Sequence, residues 1–175
     1  FLNKASARLI KSFSRRLGYL HDCEAAQMIV QSWLSNGGPL SDLPRLTQLG
    51  IDMFRNVAPV APDAVLEVIE RASSGENSDA FFDVSSPGRS AWISLLRSIA
   101  FDANLFQRAT LLLSRFVIAE PPGHNNNTAR DPFMNLFQLL LSGTHASINQ
   151  RLQVIDTLIG NEDASSQSCG LDALD

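Results

Sequence analysis

Two short stretches bring together side chains able to do chemistry. His21-Asp22-Cys23-Glu24 offers four types of metal ligand in consecutive positions. A zinc site needs about four convergent donors, usually from paired motifs, and the other two histidines, His124 and His145, stand in separate loops. The plainer reading of this stretch is a helix start capped by Asp22. Ser142-Gly143-Thr144-His145 sets hydroxyls beside an imidazole, as a nucleophile stands beside its base. It reads more simply as a glycine helix stop and a loop leading into the capping box Ser147-x-x-Gln150.

No stronger catalytic motif is present. The chain has no Gly-x-x-x-x-Gly-Lys-Ser/Thr phosphate loop, no Gly-x-Gly-x-x-Gly turn, no Gly-x-Ser-x-Gly elbow and no His-Glu-x-x-His. Its acids sit at helix starts or on solvent faces, so no carboxylate pair is nominated for general acid–base work. No catalytic, cofactor-binding or metal residue is assigned, and no cofactor is expected.

Charge supplies a third feature. Lys4, Arg8, Lys11 and Arg15 follow helical spacing, with Arg16 beside them. No acid precedes Asp22, so the first 16 residues carry +5. The other nine cations face all 18 acids, leaving −9 on the remainder. The basic stripe suits an acidic neighbouring surface, nucleic acid phosphates or plain solvent, but an acidic body argues against a nucleic-acid-binding protein.

These groups must be positioned by helices. With 45% hydrophobic and 18% charged residues among 175, the chain is long and apolar enough for a packed core. The best-formed element is 102–119, where Leu105, Phe106, Ala109, Leu112, Leu113, Phe116 and Val117 make one wide apolar face. Asp102 is expected to cap it, and Glu120-Pro121-Pro122-Gly123 to end it. A helix over 3–17 places Leu9, Ile10, Phe13 and Leu17 on one side, with Gly18 as its stop. Further helices are expected at about 23–35, from Ser41 or Asp42 to Val57 with Pro44 in the first turn, from Pro62 to Ser73, and from Pro87 to Ile99. Two more are expected at 129–142 and 148–160. A last helix starts after Asn161-Glu162-Asp163. Residues 74–88 and 120–128 read as polar loops, with Phe81 and Phe82 dipping into the core. Trp92, Phe106, Phe116, Phe133 and Phe137 are expected in the core rather than around a cofactor.

Asp22, Asp63, Asp102 and Asp163 are each expected to open a helix, at spacings of 41, 39 and 61. The first two spacings match the roughly 40-residue period of HEAT and armadillo helix pairs. The expected fold is all-α: an array of antiparallel helix pairs, HEAT- or armadillo-like, with about eight helices in one continuous domain over 1–175. A closed helical bundle serving self-association is the alternative. The first residue is not Met and the last lies in a helical pattern, so a fragment of a longer protein is expected. Two distant cysteines, no signal-peptide order and no stretch of ~18 apolar residues suggest a reducing, cytoplasmic setting. Asn126-Asn127-Thr128 then reads as loop rather than as a glycosylation acceptor.

The segment from Leu136-Phe137 through Ser142-Gly143-Thr144 to Arg151-Leu152 resembles part of large multidomain bacterial proteins of the STAND class of signal-transduction P-loop NTPases. Some members of that class act in antiviral (antiphage) defence. Gly38-Pro39-Leu40 through Pro62-Asp63-Ala64-Val65-Leu66, and Asn125-Asn126-Asn127 to Phe133, resemble the same segment, so the similarity covers most of 37–160. It implies a helical sensor or linker segment whose nucleotide site lies elsewhere in the parent chain. The implied partners are other domains of the parent, a foreign protein or a second copy. Neither membrane nor nucleic acid is expected.

Overall fold

A computed structural model describes residues 4–75, 78–124, 128–140 and 142–174. Among them the chain is all-α, with no strand. The helices are α1 (Lys4–Gly18), α2 (Glu24–Leu34), α3 (Gln48–Val57), α4 (Pro62–Ser73), α5 (Ser78–Phe82), α6 (Arg89–Ile99), α7 (Phe106–Ile118), α8 (Arg130–Met134), α9 (Ile148–Ile159) and α10 (Ala164–Asp172), with short 3-10 turns at Leu43–Arg45 and Ala58–Val60. The chain divides into two compact units, Phe1–Phe81 and Phe82–Asp175.

In the first unit α1 packs on α3 rather than on its sequence neighbour. Lys11 donates to Asp52 at 2.6 Å, and Asn56 donates to the buried Ser14 hydroxyl at 2.9 Å. Contacts therefore advance along both helices in the same direction. At the end of the pair Gly18 lies so close to α3 that a Cβ would stand 2.3 Å from the Asn56 carbonyl oxygen. Gly18 is thus required by close approach and not by a left-handed stop, which its backbone does not adopt. α2 packs on α4, where Arg71 donates to the Leu34 carbonyl at 2.9 Å.

In the second unit α6 and α7 pack antiparallel: Arg89 at the start of α6 donates to the Phe116 carbonyl near the end of α7. Phe106, Leu113 and Phe116 are fully buried, as is Trp92 nearly so, matching the expected core. Phe82 meets Phe116 edge-on at 4.7 Å between ring centroids. α9 packs on α7 and α10.

Several expected boundaries move, each for a local reason. Asp102 does not cap α7; its carboxylate accepts the Asn104 N–H at 2.8 Å in a turn, and the helix begins four residues later behind an uncapped Leu105. Asp22 likewise makes no cap, since Cys23 occupies the N-cap position with no side-chain bond. Asp63 lies inside the first turn of α4, behind Ala61. Of the four aspartates only Asp163 caps, accepting the Ser166 N–H at 2.8 Å. The helix expected from Ser41 breaks into the 3-10 turn and α3, which Thr47 caps through the Gly50 N–H. The helix expected over 129–142 is only α8; Leu140 is exposed and Leu141 lies outside the described residues. The loop expected over 74–88 contains α5, and Phe81 and Phe82 are buried as foreseen. The Ser147–Gln150 capping box is present in full.

Candidate functional site

The two stretches with chemical potential are taken up by the fold. His21 Nδ1 lies 3.0 Å from the Asp22 carboxylate at the exposed turn before α2, and Cys23 is exposed beside them. Among the described residues no three His, Cys, Asp or Glu side chains converge on a metal position. Asn126 and Asn127 lie outside the described residues.

Residues 142–150 form a strap over the α6–α7 turn. Thr144 Oγ1 donates to the Ala100 carbonyl at 2.8 Å and accepts the Ala146 N–H. The backbone N–H of His145 donates to the Phe101 carbonyl at 3.0 Å, while its side chain is exposed. Gln150 Nε2 donates to the Ala103 carbonyl at 2.6 Å. Gly143 has φ +77° and faces the Phe101 ring, so the glycine serves a left-handed turn. Ser142 Oγ accepts from the buried Arg151 at 3.0 Å. The Thr144 hydroxyl thus holds a carbonyl that the end of α6 leaves free, the Ser142 hydroxyl holds Arg151, and neither is hydrogen-bonded to the imidazole.

Two buried arginines were not singled out by sequence reasoning. Arg89 donates to the Phe82 and Phe116 carbonyls and to Glu120, with both charged side chains over nine-tenths buried. Glu120 also accepts from the Thr128 hydroxyl at 2.8 Å and from the Ala129 N–H, so one carboxylate closes the 120–128 loop. Arg151 donates to the Phe137 and Gln138 carbonyls and to Ser142, and enters no ion pair with a described residue. Spacing offers no signal for either cluster, since the Arg89 partners come from α5, α7 and the segment after it, and the Arg151 partners from the irregular segment between α8 and α9. Cys169 is buried in α10, and burial pushes its thiol up to about 11, which suits a packing residue rather than a nucleophile.

The basic stripe is only partly free. Lys11 is committed to Asp52, whose carboxyl the Lys11 hydrogen bond holds below the ordinary value. Arg8, Arg15 and Arg16 are exposed. The face expected to be buried is not covered at Leu9 and Phe13, which are 71% and 58% exposed, while Ser14 and Leu17 point inward. Tyr19, Leu20, Met28 and Ile29 are exposed as well. Six large apolar side chains are therefore open to solvent on α1, α2 and their connection.

Two depressions flank Arg71. One, of about 620 Å³, is lined by Gly37, Gly38, Asp42 and Pro44; the other, about 340 Å³, by Leu34, Pro62, Asp63 and Glu67. Both are open and of mixed charge, and no buried unpartnered group is aimed into either. No described helix is long and apolar enough to cross a membrane. Comparison with protein-family models, curated proteins and solved structures finds no match.

Proposed function

We propose that this chain is a non-catalytic helical scaffold that makes protein–protein contacts through the exposed surface of α1 and α2. The carrying observation is that Leu9, Phe13, Tyr19, Leu20, Met28 and Ile29 all stand in solvent on α1, α2 and their connection. Leu9 and Phe13 stand one turn apart on one face of α1, and exposed apolar surface grouped in this way marks interaction sites. The structural use of Thr144, Ser142, Arg89 and Glu120 supports the non-catalytic reading, because their hydrogen-bonding capacity is taken up within the fold.

The reading includes an array of antiparallel helix pairs of the HEAT or armadillo kind. Its support is the offset between packed positions: Lys11 with Asp52 at 41 residues, Ser14 with Asn56 at 42, Arg71 with Leu34 at 37, and Thr144 with Ala100 at 44. α1 on α3, running in parallel, is how first helices of successive pairs stack in such arrays. The resemblance of residues 37–160 to STAND-class proteins supports a further step, a sensor or linker segment inside a larger bacterial signalling or defence NTPase acting in the cytoplasm. Its partners would be other domains of that protein, a foreign protein or a second copy.

The test compares the chain with a Leu9→Asp/Met28→Asp variant. The unfolding midpoint should hold, since neither side chain is buried, while in-cell cross-links from α1 to other proteins should be lost. Unchanged cross-links would refute the reading.

A further inference from the structure

The strongest unassigned feature is a pair of exposed helix strips with opposite charge. On α1, Leu9 and Phe13 are followed by the exposed Arg16, with Arg8 and Arg15 on the adjoining solvent face. None of these three arginines enters an ion pair with a described residue. On α9, Ile148 and Leu152 are 59% and 44% exposed and are followed by the exposed Asp156, with the exposed Glu162 just past the end of the helix. Each strip therefore reads apolar, apolar, charged at successive turns, with the signs reversed between them.

We propose that the chain binds a second copy of itself head to tail, with Leu9, Phe13 and Arg16 of one copy lying along Ile148, Leu152 and Asp156 of the other. The proposal rests on reading α1 as an interaction surface and names its occupant. Helical rise supports the register. At ~1.5 Å per residue, Leu9 to Phe13 and Ile148 to Leu152 each span about 6 Å. Arg16 then lies ~4.5 Å beyond Phe13 and Asp156 ~6 Å beyond Leu152, a mismatch a flexible arginine spans. Laid parallel, the helices match apolar to apolar and cation to anion.

Charge selects this pairing over the symmetric ones. α1 against α1 would set three unpaired arginines against three, and α9 against α9 would set acid against acid. The first 16 residues carry +5 and the rest −9, so the acidic complement is present on every copy. A contact between two different surfaces leaves each copy carrying both halves of it, so every copy is at once donor and acceptor of the pairing.

The test is sedimentation velocity at low salt, up to several hundred micromolar, on the chain, on Arg15→Glu/Arg16→Glu, on Asp156→Lys/Glu162→Lys, and on an equal mixture of the two variants. All four positions are exposed, so folding is not at issue. The chain should associate into dimers or larger species. Each variant alone should associate roughly tenfold more weakly, since like charges then meet. The mixture should recover association, because opposite signs face each other again. A monomeric wild type, a variant as associated as wild type, or a mixture that stays monomeric would each overturn the pairing. None of these would bear on contacts of α1 with another protein, which the in-cell cross-links decide separately.

Discussion

Arg89 and Glu120 stand 2.6 Å apart with side chains 5% and 8% exposed, and together they tie α5, α6, the end of α7 and the start of α8. Removing one partner strands the other charge in the interior. Arg89→Met or Glu120→Gln should therefore each cost about 3–5 kcal/mol in urea unfolding. The double variant should cost less than the sum, because the partners are coupled. A cost below about 1 kcal/mol for either single change would show that the pair is not holding these elements.

Gly170 lies against α9, where a Cβ would come within 2.9 Å of Ile159 and 3.0 Å of Leu158. Its backbone is not left-handed. Chain entropy alone would make Gly170→Ala stabilising by about 0.4–1 kcal/mol. Close packing should reverse the sign, giving a loss of about 1–3 kcal/mol. The same holds for Gly18→Ala, whose Cβ would meet the Asn56 backbone. A gain in thermal midpoint at either site would contradict the packing described.

Phe106 is fully buried and Phe13 is 58% exposed, although both lie on apolar helix stripes. Phe106→Ala should cost about 3–5 kcal/mol. Phe13→Ala should stay within about 0.5 kcal/mol. Equal losses in denaturant titration would mean that α1 buries the face seen here in solvent.

This contrast marks how far the sequence could be read. Periodicity locates α2, α4, α6 and α9 closely, and the Ser147 box and Asp163 cap appear as their residue types predict. Amphipathicity says that a face is apolar, not that another element covers it. Hence the pattern points Leu9 and Phe13 inward, while the fold turns Lys11 and Ser14 toward α3. Asp102 is a good cap by type, but the turn at 100–105 claims its carboxylate first. Arg89 and Glu120 lie 31 residues apart, and no local pattern announces a buried charge. Aspartate type alone does not decide capping either, since Asp22, Asp63 and Asp102 do not occupy the N-cap positions that their spacing predicts.

Asp52 is held below its ordinary pKa of 3.8, first by its hydrogen bond to Lys11. A depressed carboxyl pKa stabilises the fold above the unfolded value, and that contribution is lost as pH falls through the folded one. Because Lys11 is well exposed, the effect is screened to about 0.2–1 kcal/mol. Asp52→Asn should show that deficit at pH 7, and the two proteins should converge in stability in acid, once Asp52 is protonated in both the folded and the unfolded chain. A deficit that persists in acid would assign the loss to packing rather than charge.

The most direct measurement of the central claim is hydroxyl-radical footprinting of Phe13, Tyr19 and Met28. It would be made on the dilute purified chain and on the same protein inside the cells that produce it. All three side chains are exposed in the fold and should oxidise readily in dilute solution. If α1 and α2 form a contact surface, all three should be strongly protected in the cell, while exposed side chains elsewhere, such as Leu139 and Leu140, are not. Equal oxidation of Phe13, Tyr19 and Met28 in both settings would contradict the claim.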